Sequence, residues 1–186
     1  MRLWHPTGQP LPQHALALAN LLTSNSPADA LAMWQPEWPG VQAAHVQGAR
    51  HDLWWEFALS SSFRWQVHVH RLNPAFATQR LDKLTRLFGL SPVLNVRVED
   101  LSLAEQARAD LAVKLLTQPD VLVWTEPFVN LHGLDRLQVS RSVWHLCQTE
   151  GLTVLTTARK EGLRNERKHT AWAGGADRRA SARSAG

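Results

Sequence analysis

Two apolar segments, VLVWTE at 121–126 and TVLTTA at 153–158, bracket the stretch DRLQVSRSVWHLCQ. Their content of Val, Leu and Thr suits strands, and continuous apolar runs of this kind belong to strands covered on both faces. Two such strands separated by a helix's length of chain form a parallel pair with a crossover, which requires helices against the sheet. The pattern predicts an α/β sandwich. Other signals fit around it. Pro12 to Ser24 reads as a helix entered by proline, and VQAAHVQ (41–47) as a short core strand after the turn-forming Pro39-Gly40. Ser60-Ser61-Ser62 reads as an N-cap cluster leading into FRWQVHVHRL. Leu81, Leu84, Leu87 and Phe88 recur at helical spacing before Gly89, and a further helix is expected from Leu103 to about Thr117.

At 186 residues, 44% hydrophobic and 19% charged, the chain suits a soluble globular domain plus a tail. No apolar run is long enough to span a membrane, and MRLWHPTGQP lacks the basic-then-apolar order of a signal peptide. One cysteine, Cys147, excludes an internal disulfide framework and fits a reducing compartment. The expected location is the cytoplasm, or the inner face of the membrane as a peripheral protein. From Arg159 to Gly186 there are eight Lys/Arg and three Asp/Glu, so of the net charge of +4 this end holds +5 and the rest −1. Residues 1–161 are read as the folded domain and 162–186 as a basic, low-complexity tail. Such a tail is solvated and disordered in the simplest reading, with weak contact to nucleic acid or acidic lipid as its alternative use.

The segment LSLAEQARADLAVKLLTQPDVLVWTEP (101–127) places a capping box, Ser102 with Glu105, at the start of a helix, then a Pro-Asp turn, then a strand ending in Glu-Pro. This order resembles the ATPase of ATP-binding cassette (ABC) transporters, where the signature LSGGQ opens a helix and the Walker B strand ends in Asp-Glu-Pro. Upstream, QGARHDLWWEFALSSSF (47–63) is similar to the Q-loop region of multidrug-type ABC exporters. Downstream, GLTVLTTAR (151–159) is similar to the last core strand and switch loop. The resemblance covers about residues 8–160. It implies a three-layer P-loop NTPase-like α/β core, truncated, with an inserted helical subdomain at about 56–101. It also implies ATP and magnesium as cofactors, a helical subdomain that docks on a membrane subunit, and head-to-tail pairing with an intact ABC ATPase.

The nucleotide-handling positions depart from that family pattern. TGQPLPQHALAL falls over the phosphate loop, with its glycine pattern missing, two prolines removing amide donors, and Ala15 and Leu16 in place of lysine and serine. The Q-loop glutamine falls on Ala49, the Walker B aspartate on Thr125 and the switch histidine on Ala158. The signature retains Ser102 but carries Ala104 and Glu105, which would set negative charge where a partner's γ-phosphate sits. Without a gap the D-loop aspartate falls on His132; a three-residue insertion would place it on Asp135. Glu126, in the position of the catalytic base, is unchanged. Met1 falls where the strand entering the phosphate loop should begin, so the antiparallel subdomain with its adenine-stacking aromatic is expected to be missing.

A charge-assisted contact contributes about 1.5–3 kcal/mol. Losing the lysine and several amides should then cost roughly 5 kcal/mol, about four decades of affinity. The expectation is a pseudo-ATPase that holds neither ATP nor metal well. A nucleic-acid-binding module driven by the tail is the second reading. His68 and His70 could be metal ligands on a strand, but a helix would point them apart. Trp34, Trp54, Trp55, Trp65, Trp124 and Trp144 lie among apolar neighbours and are expected in the core, and Cys147 is expected to be a buried thiol.

Overall fold

The computed structural model describes residues 2–4, 10–47 and 53–157. Four strands form one sheet: β1 (Arg2–Trp4), β2 (Ala43–Gln47), β3 (Val121–Thr125) and β4 (Thr153–Thr157), in the order β1-β4-β3-β2. The inner three are parallel, with Thr125 level with Gln47 on one side and Thr157 on the other. The helices are α1 (Gln13–Leu21), α2 (Pro27–Trp34), α3 (Leu59–Val69), α4 (Pro74–Leu87), α5 (Leu103–Lys114) and α6 (Gly133–Glu150).

Alternation along β3 divides the interior. Val121 and Val123 join Leu155, Ala15, Leu18 and Trp34 in a core with α1 and α2 on one face. Leu122 and Trp124 join Val46 and Val154 in a larger core on the other, which also takes Phe63 of α3, Leu84 of α4, Leu111 of α5 and Leu146 of α6. Side chains on successive residues of a strand point to opposite faces, so an uninterrupted apolar strand supplies both cores at once. The result is the expected three-layer α/β arrangement.

Several local expectations change. α2 is not among the expected helices, yet Ser26 caps it, accepting from the Asp29 amide, with Pro27 in its first turn. The serine cluster does not cap α3. The helix begins at Leu59 and places those serines inside it, because backbone carbonyls do the capping: Leu59 N–H donates to Val96 O at 2.9 Å and Ser60 N–H to Leu94 O at 2.8 Å. Ser62 is buried, its hydroxyl in hydrogen-bond contact with the Trp54 backbone.

Only Trp34 and Trp124 of the six tryptophans enter the core; Trp54, Trp55, Trp65 and Trp144 are 39–48% exposed. For Trp65 the reason is helical phase, since α3 turns Leu59, Ser62, Phe63 and Gln66 inward. His68 lies within α3 and His70 at its C-terminal cap, and no cluster of metal-ligating groups occurs among the described residues.

β1 occupies the sheet position beside β4 but runs antiparallel to it, with Trp4 level with Val154. The chain therefore leaves β1 at the end of the sheet away from Thr125 and Thr157. A strand that feeds a phosphate loop must leave at the opposite end, beside the carboxyl ends of its parallel neighbours.

Candidate functional site

Where β3 ends, Thr125 projects on the α1 side of the sheet. Its hydroxyl receives the Thr157 hydroxyl at 3.1 Å and lies 3.0 Å from His45 Nε2. Register brings the three together: Thr157 is the direct partner of Thr125, and His45 stands two residues before Gln47, the other partner of Thr125, on the same face of β2. Glu126 follows with φ +52°, its N–H donating to Thr157 O at 2.7 Å. Phe128 also has positive φ, +72°, with its ring 4.9 Å from that of Trp124 and the Arg136 guanidinium 4.7 Å above it. Two strained positions, at residues 126 and 128 on either side of Pro127, hold the backbone just past the strand in a tight course. Left-handed conformations cost a side-chain-bearing residue about 1–2 kcal/mol each.

The second expected group stands at the start of α5. Ser102 accepts from the Glu105 amide, while Glu105 Oε2 accepts from Ser102 N–H at 2.8 Å and from its hydroxyl at 2.6 Å. The Ser102 hydroxyl holds the Glu105 carboxyl below its usual range; partial burial opposes this, and the Ser102 amide and Arg108 reinforce it. Arg108 ties α5 to α6, reaching Gln138 Oε1 at 3.4 Å and Asp135 at 3.6 Å. His132 is exposed at the N-cap of α6 with no side-chain capping bond.

No family model matches the chain. It is 27% identical over 118 residues to an uncharacterized ABC transporter ATP-binding protein of Schizosaccharomyces pombe, covering 63% of this chain and 24% of that protein. It is 28% identical over 96 residues to an uncharacterized ABC transporter ATP-binding protein/permease of Saccharomyces cerevisiae, covering 49% of this chain and 7% of that one. A solved ATP-binding subunit of an ABC transporter superposes with TM-score 0.55 at 20% identity, over 73% of this chain and 54% of its own. The chain is similar in sequence and in fold to ABC-transporter ATPases. It spans less than a quarter of the length of the two curated relatives.

Of the residues expected at nucleotide-handling positions, Thr125 ends β3 and Glu126 follows it, while Ser102 caps α5 and Glu105 stands in its first turn. Ala15 and Leu16 lie inside the first turns of α1, Ala15 fully buried against the sheet and Leu16 turned out to solvent. Pro12 caps that helix and contributes no side-chain bond. Ala49 and Ala158 lie outside the described residues, as does the tail from 162 to 186. Sequence reasoning missed His45 and Thr157. His45 was readable as a polar residue inside a core strand, but its contact with Thr125 depends on a register spanning 80 positions.

Proposed function

We propose that this chain is a non-hydrolysing relative of ABC ATP-binding subunits that acts as an interaction partner within an ABC exporter, through its membrane subunit or an intact ATPase. The observation carrying this reading is the Thr125 contact set. Magnesium bound with nucleotide phosphates is held by hard anionic oxygens, typically one or two carboxylates. At the Walker B aspartate position this chain offers a hydroxyl engaged by Thr157 and His45, a neutral group and a weak donor to a hard cation. The direction of β1, the buried Ala15 and the proline at the start of α1 add to the misfit. These residues do not fit magnesium and ATP.

The partner side of the proposal rests on the relatives, one of which is itself described as an ATP-binding protein/permease. No helix among the described residues is long and apolar enough to cross a membrane, so any membrane-spanning function would come from another chain or segment. Titration calorimetry of the full chain with ATP and magnesium is expected to show no micromolar binding, and phosphate release no higher than the blank. Micromolar affinity would overturn the reading. Photocrosslinking in native membranes, followed by identification of the captured chain, tests the partner independently.

A further inference from the structure

β2 is the last strand of the sheet, and among the described residues it pairs with β3 alone, so its other side is an edge. The phase of the ladder fixes which backbone groups point there. Val121 N–H donates to Gln42 O, and in a parallel ladder the groups that meet a given neighbour come from every second residue. Ala44 and Val46 therefore turn N–H and C=O to β3, while Ala43 and Gln47 turn theirs away from it. Sheets commonly protect such an edge with a charge, a proline, a bulge or a covering segment. AAHVQ contains no Asp, Glu, Lys, Arg or Pro, and its register with β3 runs through all five residues without a bulge. Ala43, Ala44 and Gln47 are half-buried. Both cores also run out here in partly buried apolar residues. Val41 and Ala43 stand at the margin of the smaller core; Ala44 stands at that of the larger one, as does Ala107, which shares a small hollow with Val46.

We propose that the β2 edge is a self-association surface, at which a second copy of this chain adds its own β2 antiparallel and joins the two sheets into one. A two-fold axis at position 45 sets Ala43 opposite Gln47 of the copy, and each such pair exchanges two backbone hydrogen bonds. The apolar margins favour a copy over an isolated strand. A lone strand would pair the backbone and leave those margins open. A copy brings the same margins against them: Ala44 meets Val46 of the copy on the α5 side, and Val41 and Ala43 approach the joint on the α1 side. Self-pairing also opposes no like charges, because the strand carries no Asp, Glu, Lys or Arg. An interface built on five-residue strands is small, so association in the micromolar range is expected. The surface is independent of the nucleotide reading above, since an active ATPase could carry it equally well.

The test is sedimentation velocity of the full chain across micromolar concentrations, with and without ATP and magnesium. A monomer–dimer equilibrium that ignores the nucleotide is expected. Ala43→Pro removes an outward N–H and leaves the ladder to β3 intact. By symmetry it takes two donors from the dimer and should weaken association roughly thirtyfold. Gln47→Lys keeps every backbone group, places a charge on the edge and should weaken association as well. Far-UV dichroism checks that both variants remain folded. The register is read by mixing Ala43→Cys and Gln47→Cys chains under mild oxidation. Across the joint these positions have Cα atoms about 5.5 Å apart, within disulfide reach, so the mixture should crosslink and neither variant alone should do so. The native Cys147 is buried and stays out of the reaction. A chain that remains monomeric throughout would overturn the proposal. So would a dimer that appears only with ATP, which would be the head-to-tail pairing of the family, or one whose mixed variants fail to crosslink, which would place the contact on another face.

Discussion

Glu126 and Phe128 both hold positive φ in the loop that leaves β3, and each is stabilised by its surroundings. The Glu126 amide is bonded to Thr157 O, and the Phe128 ring is enclosed by Trp124 and Arg136. An isosteric amide at residue 126 preserves that backbone bond. Glu126→Gln, which keeps the side chain's shape, is expected to change stability by less than about 0.5 kcal/mol in urea denaturation. A larger shift would show that the carboxylate carries structure. Glu126 and Thr125 were legible in the sequence because they end an apolar run in Glu-Pro. The neutral contact that occupies Thr125 was not legible, because it is assembled from three strands far apart in the chain.

Helix ends in this protein are satisfied by three devices, and the sequence exposes them unequally. The Ser102–Glu105 box is local, so its spacing reveals it. The start of α3 is closed by carbonyls of residues 94 and 96, a tertiary contact that a run of serines only imitates. At the end of α5 the device is Arg80 of α4, 4% exposed, whose Nε and Nη2 donate to Leu115 O at 3.1 and 2.8 Å. Its Nη1 meets Glu150 at the end of α6, and Lys83 reaches the same carboxylate oxygen at 2.6 Å. Burial alone would raise the Glu150 pKa; hydrogen bonds and charge from Arg80 and Lys83 outweigh it and hold the carboxyl below its usual value. A depressed carboxyl pKa contributes stability that is present above the unfolded value, 4.5, and lost as pH falls through the folded one. Glu150→Ala strands the buried guanidinium and should destabilise by about 2–4 kcal/mol at neutral pH. The difference from wild type should shrink as pH falls below the unfolded value of 4.5 and through the lowered folded one, where the wild-type carboxyl is itself protonated. Denaturant titrations at neutral and at acid pH check both statements, and a difference that does not depend on pH would count against the ion pair.

Across the whole molecule, the parallel inner strands and their cover of helices follow from apolar strands and helical periodicity, whereas the strand order and the antiparallel β1 do not. The separateness of the helical region is the point on which packing adds something. The family pattern sets residues 56–101 apart as a subdomain, yet Leu59, Phe63, Leu84, Phe88 and Val98 share one continuous core with Leu122, Trp124, Val154 and the inward face of α6. Arg80 adds a polar tie from α4 to the ends of α5 and α6. A region that shares its apolar interior with the sheet loses that burial if it unfolds alone, so partial unfolding is disfavoured and a single transition is expected. Cys147 reports on this from inside the same core. It is fully buried on α6, and burial pushes its thiol pKa up to about 12, so the native protein should be inert to thiol reagents near pH 8. Stepwise urea unfolding, followed in parallel by far-UV dichroism, tryptophan emission and Cys147 labelling, should give coincident curves. The exposed Trp54 and Trp65 of the helical region and the buried thiol of α6 are the most widely separated probes for the comparison. An early change in tryptophan emission with the thiol still protected would show that the helical region melts by itself and that the common core does not bind it to the sheet.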